Sequence, residues 1–154
     1  MARATFLCVG RLSREYGAVW QHYEKLLRPY SSVEVFEVSE TPLAQGEEAA
    51  RGKDSAALLA LMKTNTFTIA LDMRGLEYSS KEWSGFLAEK KLHGHSSFQF
   101  ILGGAAGLDA TVLSAADARW SLARLTFPHQ MARCIVLEQY YRAFRIERGE
   151  PYHH

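Results

Sequence analysis

The sequence predicts an α/β protein, a mostly parallel sheet with helices on both faces, and three observations carry that expectation. Short segments of strand character recur five times along the chain. Stretches with helical spacing lie between them, and such crossovers are what make successive strands parallel. The length of 154 residues, with 47% apolar and 23% charged side chains, suits a single domain spanning 1–154, and no internal repeat or low-complexity tract interrupts it.

Each element has its own signal. Residues 5–9 (Thr-Phe-Leu-Cys-Val) form a short apolar strand ending at Gly10, and residues 15–27 have helical spacing that stops before Pro29. Residues 33–38 (Val-Glu-Val-Phe-Glu-Val) alternate as a half-buried strand. The stretch 39–46 is linker-like; residues 47–63 then form a helix with an Ala/Leu face and 66–71 an apolar strand. Ser79 followed three residues later by Glu82 reads as a capping box, because each side chain can satisfy the other's free amide, and it opens a helix running to about Leu92. Strand 98–102 breaks at Gly103 and Gly104. Asp109 caps a short helix to Ala116, residues 120–125 form a fifth strand, and Pro128 sets the start of a final helix to about Arg148. In that helix Cys-Ile-Val-Leu at 134–137 is apolar on every side and is followed by Tyr140, Tyr141 and Phe144. The pattern predicts burial on all sides, shared between the chain's own fold and a subunit interface, with plain core packing as the alternative.

Composition narrows the function classes. The apolar run near the amino terminus is too short for a signal-peptide core and no segment has bilayer length, so a cytoplasmic protein without membrane contact is expected. Cys8 and Cys134 lie in apolar runs without ligand partners nearby, which predicts reduced core thiols and no metal site. A net charge of +1 argues mildly against a large polyanionic partner. The distribution says more: from Arg119 onward there are six arginines, no lysine and three acids, against twelve basic and fourteen acidic side chains before it. Guanidinium groups pair with phosphate at two points and stack on bases; the plainer reading is a solvated helix face on which Glu138 pairs with Arg142.

Open parallel sheets bind ligands beyond the carboxyl ends of their strands. That rule selects three loops: 71–75, the run Gly-Gly-Ala-Ala-Gly-Leu at 103–108, and 122–127. Bare glycines let a ligand approach the backbone, as an adenosine or a phosphate would, although a structural turn into the helix at Asp109 explains them equally well. The end of the chain is a further candidate, because Arg, Tyr, Phe and His crowd around Gly149 and Pro151 where a terminus is ordinarily featureless.

Taken together, Val9-Gly10, Leu71-Asp72, the glycine loop, the run Trp-Ser-Leu-Ala-Arg-Leu-Thr-Phe-Pro-His-Gln-Met at 120–131, Glu-Gln-Tyr-Tyr-Arg-Ala-Phe-Arg-Ile at 138–146 and the tail Pro-Tyr-His at 151–153 resemble the H-type pseudouridine methyltransferases of bacterial large-subunit ribosomal RNA, in the SPOUT superfamily. The resemblance covers the whole chain. It implies a SPOUT-type fold with a carboxyl-terminal trefoil knot, S-adenosylmethionine as cofactor, and a homodimer in which the tail of one subunit completes the site of the other. Matched motif by motif, the cofactor contacts are Leu71, Gly103, Leu122, Ala123, Arg124, Leu125, Thr126 and Phe127. The implied reaction is methyl transfer to N3 of a pseudouridine in large-subunit rRNA of the assembled ribosome. A cation beside the base lowers the cost of its imide anion, which selects Arg142, with His153 as proton acceptor and Tyr152 as a stacking or positioning group. His129 reads as a structural residue at the helix start. The chain departs from the family pattern at Leu76, at Ala105 and Ala106, and at His154, where the pattern favours lysine, polar residues and a basic residue. Two rival readings remain open on the residues alone: a non-catalytic ribosome-associated RNA-binding protein, and a nucleotide-binding enzyme of another kind.

Overall fold

A computed structural model of the chain describes residues 1–152; His153, the expected proton acceptor, and His154 lie outside the described residues. Five strands, β1 (Ala2–Val9), β2 (Ser31–Val38), β3 (Phe67–Glu77), β4 (Ser97–Leu102) and β5 (Ala118–Ser121), form one sheet in the order β2-β1-β4-β3-β5 with every neighbouring pair parallel. Helices α1 (Arg14–Leu27), α2 (Glu47–Leu61), α3 (Ser80–Leu92), α4 (Ala110–Ala115) and α5 (His129–Glu147) connect and follow them. One 3-10 turn, Leu43–Gln45, interrupts the linker.

The sheet is buried on both sides because successive side chains of a strand point to opposite faces. On β1, Phe6 and Cys8 join a core with Trp20 and Leu27 of α1, Trp83 and Leu87 of α3, and Leu137, Tyr140 and Phe144 of α5. Leu7 and Val9 join a second core with Leu58 of α2 and Val112 and Leu113 of α4. Each such side chain taken fully out of water contributes roughly 1.5–3 kcal/mol. The expected α/β architecture, with helices on both faces, is therefore the one the chain adopts. The local caps form as well: the Ser79 hydroxyl accepts from the Glu82 amide at 3.0 Å while Glu82 Oε1 accepts from the Ser79 amide at 2.8 Å, and Asp109 Oδ1 accepts from the Thr111 and Val112 amides.

Two expectations change. Strand β3 extends to Glu77, because its register against β5 slips between Leu71 and Leu76 and brings Gly75 against the β5 backbone, where a Cβ would lie 2.6 Å from the Arg119 carbonyl carbon. Strand β5 stops at Ser121, where the Ser121 hydroxyl donates to the Ala123 carbonyl at 3.1 Å and the chain leaves the sheet edge. Residues 122–125, expected as strand, are loop. Within the chain, α5 encloses Cys134, Val136 and Leu137, whereas Ile135 is half-buried and Met131 is 38% exposed.

Candidate functional site

A cavity of about 750 Å³ opens at the carboxyl ends of β3, β4 and β5, beside the first turn of α5. Of the expected cofactor contacts, Leu71, Gly103, Leu122, Ala123, Leu125, Thr126 and Phe127 all line it. Arg124 does not; its side chain belongs to the exposed side of the same loop. Asp72, Trp120 and His129 also line the cavity. Trp120 is buried with its ring stacked on Trp83 at 3.8 Å, so an indole plane forms a rigid part of the wall.

The glycine loop holds its shape by contact with itself. A Cβ on Gly103 would lie 2.8 Å from the Gly107 carbonyl carbon, and one on Gly104 would lie 2.4 Å from Glu40 Oε2. Gly107 has φ +78°, and its amide donates to the Gly104 carbonyl at 3.0 Å. Of the two readings left open for these glycines, the structural turn is accounted for without any ligand.

Glu40, from the linker after β2, holds the loop from outside. Its Oε2 accepts from the Ala105 amide at 3.0 Å, and its Oε1 lies 3.9 Å from His129 Nε2. Beneath, Arg133 is 2% exposed and donates to Glu37 Oε2 at 2.6 Å and to the Gly10 carbonyl at 2.9 Å, joining α5 to the ends of β1 and β2. Sequence reasoning missed Glu40 and Arg133. Their partners are 65 and 96 or more residues away, so no local spacing signals either one. Burial pushes the nearby Cys8 thiol up to about 12, so it stays protonated and unreactive, as expected for a core cysteine.

Two of the expected catalytic residues, Arg142 and Tyr152, gather at the other end of α5. Arg142 donates from Nε to Glu138 Oε1 at 2.7 Å and pairs with it again from Nη2 at 2.6 Å, forming the i,i+4 pair that the sequence offered as the plainer reading. The hydrogen bonds to Glu138 raise the Arg142 pKa, so the group stays cationic. Tyr152 lies over this guanidinium at 4.6 Å, donates its hydroxyl to Glu138 Oε1 at 3.2 Å, and meets Tyr141 edge-on. Burial, with Glu138 nearby, holds the Tyr152 phenol well above its ordinary pKa. The tail is tied down upstream of it: Glu150 accepts from Tyr30 at 3.1 Å and from Arg145 at 2.7 Å, and Arg145 also donates to the Pro151 carbonyl at 3.2 Å.

A single chain does not bring these two groups together. Arg142 stands thirteen residues beyond His129 on α5, roughly 20 Å at 1.5 Å per residue. The electrostatics of the cavity are also distinctive. Among the described residues that line it there is no lysine or arginine, and Asp72 is the one carboxylate. Asp72 Oδ2 is buried without a hydrogen bond and has only Arg74 Nε at 3.5 Å. Such a cavity favours a ligand that carries positive charge over one that carries a pyrophosphate.

Comparisons with known proteins identify the family. Residues 2–153 match the family described as predicted SPOUT methyltransferases. The chain is 44% identical to the ribosomal RNA large subunit methyltransferase H of Pelotomaculum thermopropionicum, with 100% of both chains covered. It is 41% identical to the protein of the same name from Carboxydothermus hydrogenoformans, covering 97% of this chain and 98% of the other. Among solved structures, a probable methyltransferase from Bordetella pertussis superposes with a TM-score of 0.58 at 16% identity, covering 92% of this chain and 94% of that one, a likeness of fold.

Proposed function

The chain belongs to the SPOUT methyltransferase family, and on that premise we propose that it is an S-adenosylmethionine-dependent methyltransferase that modifies N3 of a pseudouridine in large-subunit ribosomal RNA of the assembled ribosome, working as a homodimer in the cytoplasm. No helix among the described residues is long and apolar enough to cross a membrane.

The observation that carries the cofactor reading is the cavity's lining. Leu71, Leu122 and Phe127 supply apolar walls for an adenine, the loops 103–107 and 122–126 supply backbone groups, and the unpartnered Asp72 oxygen can accept from a hydroxyl or an ammonium. The absence of a lining Lys or Arg, among the described residues, suits a cationic sulfonium and disfavours a dinucleotide. When bound there, the cofactor would supply an electrophilic methyl group. The chain's own contribution is alignment and charge. Arg142, oriented by Glu138 and covered by Tyr152, holds a cation where the imide nitrogen becomes anionic, and His153 takes the imide proton.

The homodimer proposed here would join both halves of this reading. Met131 and Ile135 leave an apolar strip of α5 incompletely covered, and a second copy packed there would bring its own tail toward this chain's cavity. We further propose that the segment after β5 is threaded as a trefoil knot, in keeping with the ties from α5 back to the β1 end: Gln130 accepts from the Ser13 amide and Arg133 donates to the Gly10 carbonyl.

The test is calorimetric titration with S-adenosylmethionine and with common dinucleotides, followed by incubation of labelled cofactor with ribosomes bearing pseudouridine. Selective binding of the former and transfer of label to rRNA are expected. Equal binding of a dinucleotide points to a different nucleotide enzyme, and ribosome binding without transfer points to a non-catalytic ribosome-associated protein.

A further inference from the structure

A second cavity, of about 760 Å³, lies against the first and shares Asp72, Ala106, Gly107 and Leu108 with it. The glycine loop is thus a partition, with an apolar chamber on one side and a polar one on the other. Three arginines from three elements line the polar chamber: Arg51 of α2, Arg74 of β3 and Arg119 of β5. So do three acids, Glu48, Asp72 and Asp109, which makes the chamber neutral by count. The count conceals the arrangement, because Glu48 is an exposed residue of the first turn of α2, whereas Arg74 and Arg119 share the β3–β5 edge. Asp109 Oδ1 is taken up by the Thr111 hydroxyl and by two α4 amides. Asp72 turns a buried oxygen inward beside the partition. Arg51 is held as wall, donating to the Ala106 carbonyl at 2.8 Å and to Glu47 at 3.0 Å.

The other two arginines are not held in this way. Arg74 is 76% exposed and has only the 3.5 Å approach to Asp72. Arg119 is exposed, and its side chain makes no hydrogen bond or ion pair among the described residues. Arg119 pairs with Ala70 in the β3–β5 ladder, and Arg74 lies in the irregularity between Leu71 and Leu76, next to Gly75, whose Cα packs on the Arg119 backbone, so both are placed at one edge of the sheet. Two weakly engaged guanidiniums on one edge, next to the chamber in which the target base would react, suit the phosphates of a strand better than any small neutral ligand.

We propose that Arg74 and Arg119 hold the backbone phosphates of the RNA strand that presents its base to the neighbouring cavity; this rests on the rRNA methyltransferase reading above. It also accounts for how a chain of net charge +1 engages a polyanion: the grip is local and made by arginines that the fold leaves exposed and only weakly paired.

Arg74→Gln, Arg119→Gln and the double variant test it. Binding of each to purified large ribosomal subunits would be measured across a series of potassium chloride concentrations, alongside titration with S-adenosylmethionine. For every phosphate that an arginine no longer neutralises, the plot of log affinity against log salt should become shallower by about 0.7–0.9, with cofactor affinity as in the parent. An unchanged slope in the double variant overturns the proposal. So does cofactor affinity that falls in step with ribosome binding, since the arginines would then be holding the cofactor's carboxylate. If the arginine-dependent slope is seen but the parent transfers no methyl group, the phosphate site stands and the enzymatic reading falls.

Discussion

The two ends of α5 are built on opposite principles. At its amino end the cavity is made of backbone and apolar surface, shaped by glycines that touch one another and by one outside carboxylate, Glu40. At its carboxyl end the Arg142 cluster is made of long polar side chains, Glu138, Arg145, Glu150 and three tyrosines, tied together by hydrogen bonds and ring contacts. The first is rigid because nothing larger fits; the second is rigid because its polar side chains hold one another. Under the proposed function, ligand selection at the cavity would follow from shape and missing charge, and chemistry at the tail from a cation held in one orientation by Glu138.

The sharpest way to break this contrast is Gly103→Val. The added Cβ meets the Gly107 backbone, so the loop itself must move. We expect loss of S-adenosylmethionine binding together with a lower Tm, by calorimetry and thermal melting, and this variant cannot be a clean probe of ligand space. Retained affinity at the parent Tm would show that the glycines serve neither purpose.

Changing Arg142 to Ala, or deleting residues 152–154, should lower methyl transfer to ribosomes tenfold or more, since a single interaction made in the transition state is worth on the order of 1–4 kcal/mol. Cofactor affinity should hardly change, because the cluster is about 20 Å along α5 from the cavity of its own chain. Parent rates in both variants would reduce the tail to a well-packed end. A mixed-dimer assay sharpens the same point. When Arg142→Ala is refolded together with Leu122→Trp, which fills the cavity, roughly a quarter of the parent rate should return, because half of randomly mixed dimers are mixed and each holds one complete shared site. No recovery would place the whole site within one chain.

The smallest expected effects separate the supports of the two regions. Glu40→Ala removes the Ala105 clamp and should weaken cofactor binding about fivefold, the worth of one hydrogen bond near 1 kcal/mol. Glu150→Gln loosens the tail and should instead lower the transfer rate by a similar factor, leaving cofactor affinity alone. Titration and rate measurements on the pair would collapse the contrast if both variants moved the same quantity.

The loops at the strand ends were legible because they follow from periodicity and topology: once strands and helices alternate, the ligand-facing edge is determined; the individual cofactor residues came from the family resemblance, and seven of those eight line one cavity there. Arg124 could not be placed, because β5 ends four residues earlier than its apolar pattern suggests and the loop turns that side chain outward. The helix caps and the buried α5 face were legible for the same reason, since each depends on residues within one or two helical turns.

By itself, then, the sequence determined the alternation of elements, their caps, the α/β sheet and the positions of its glycine-marked loops, because short-range spacing decides which backbone groups are satisfied and which faces are apolar. Only the tertiary structure decided that Glu40 clamps Ala105, that Arg133 anchors Gly10, that the weakly engaged Arg74 and Arg119 meet beside the cavity, and that the cavity and the Arg142 cluster stand apart. Those relations join groups brought together by strand order and register, and side-chain charges separated by tens of residues acquire partners only when the sheet has set their distance.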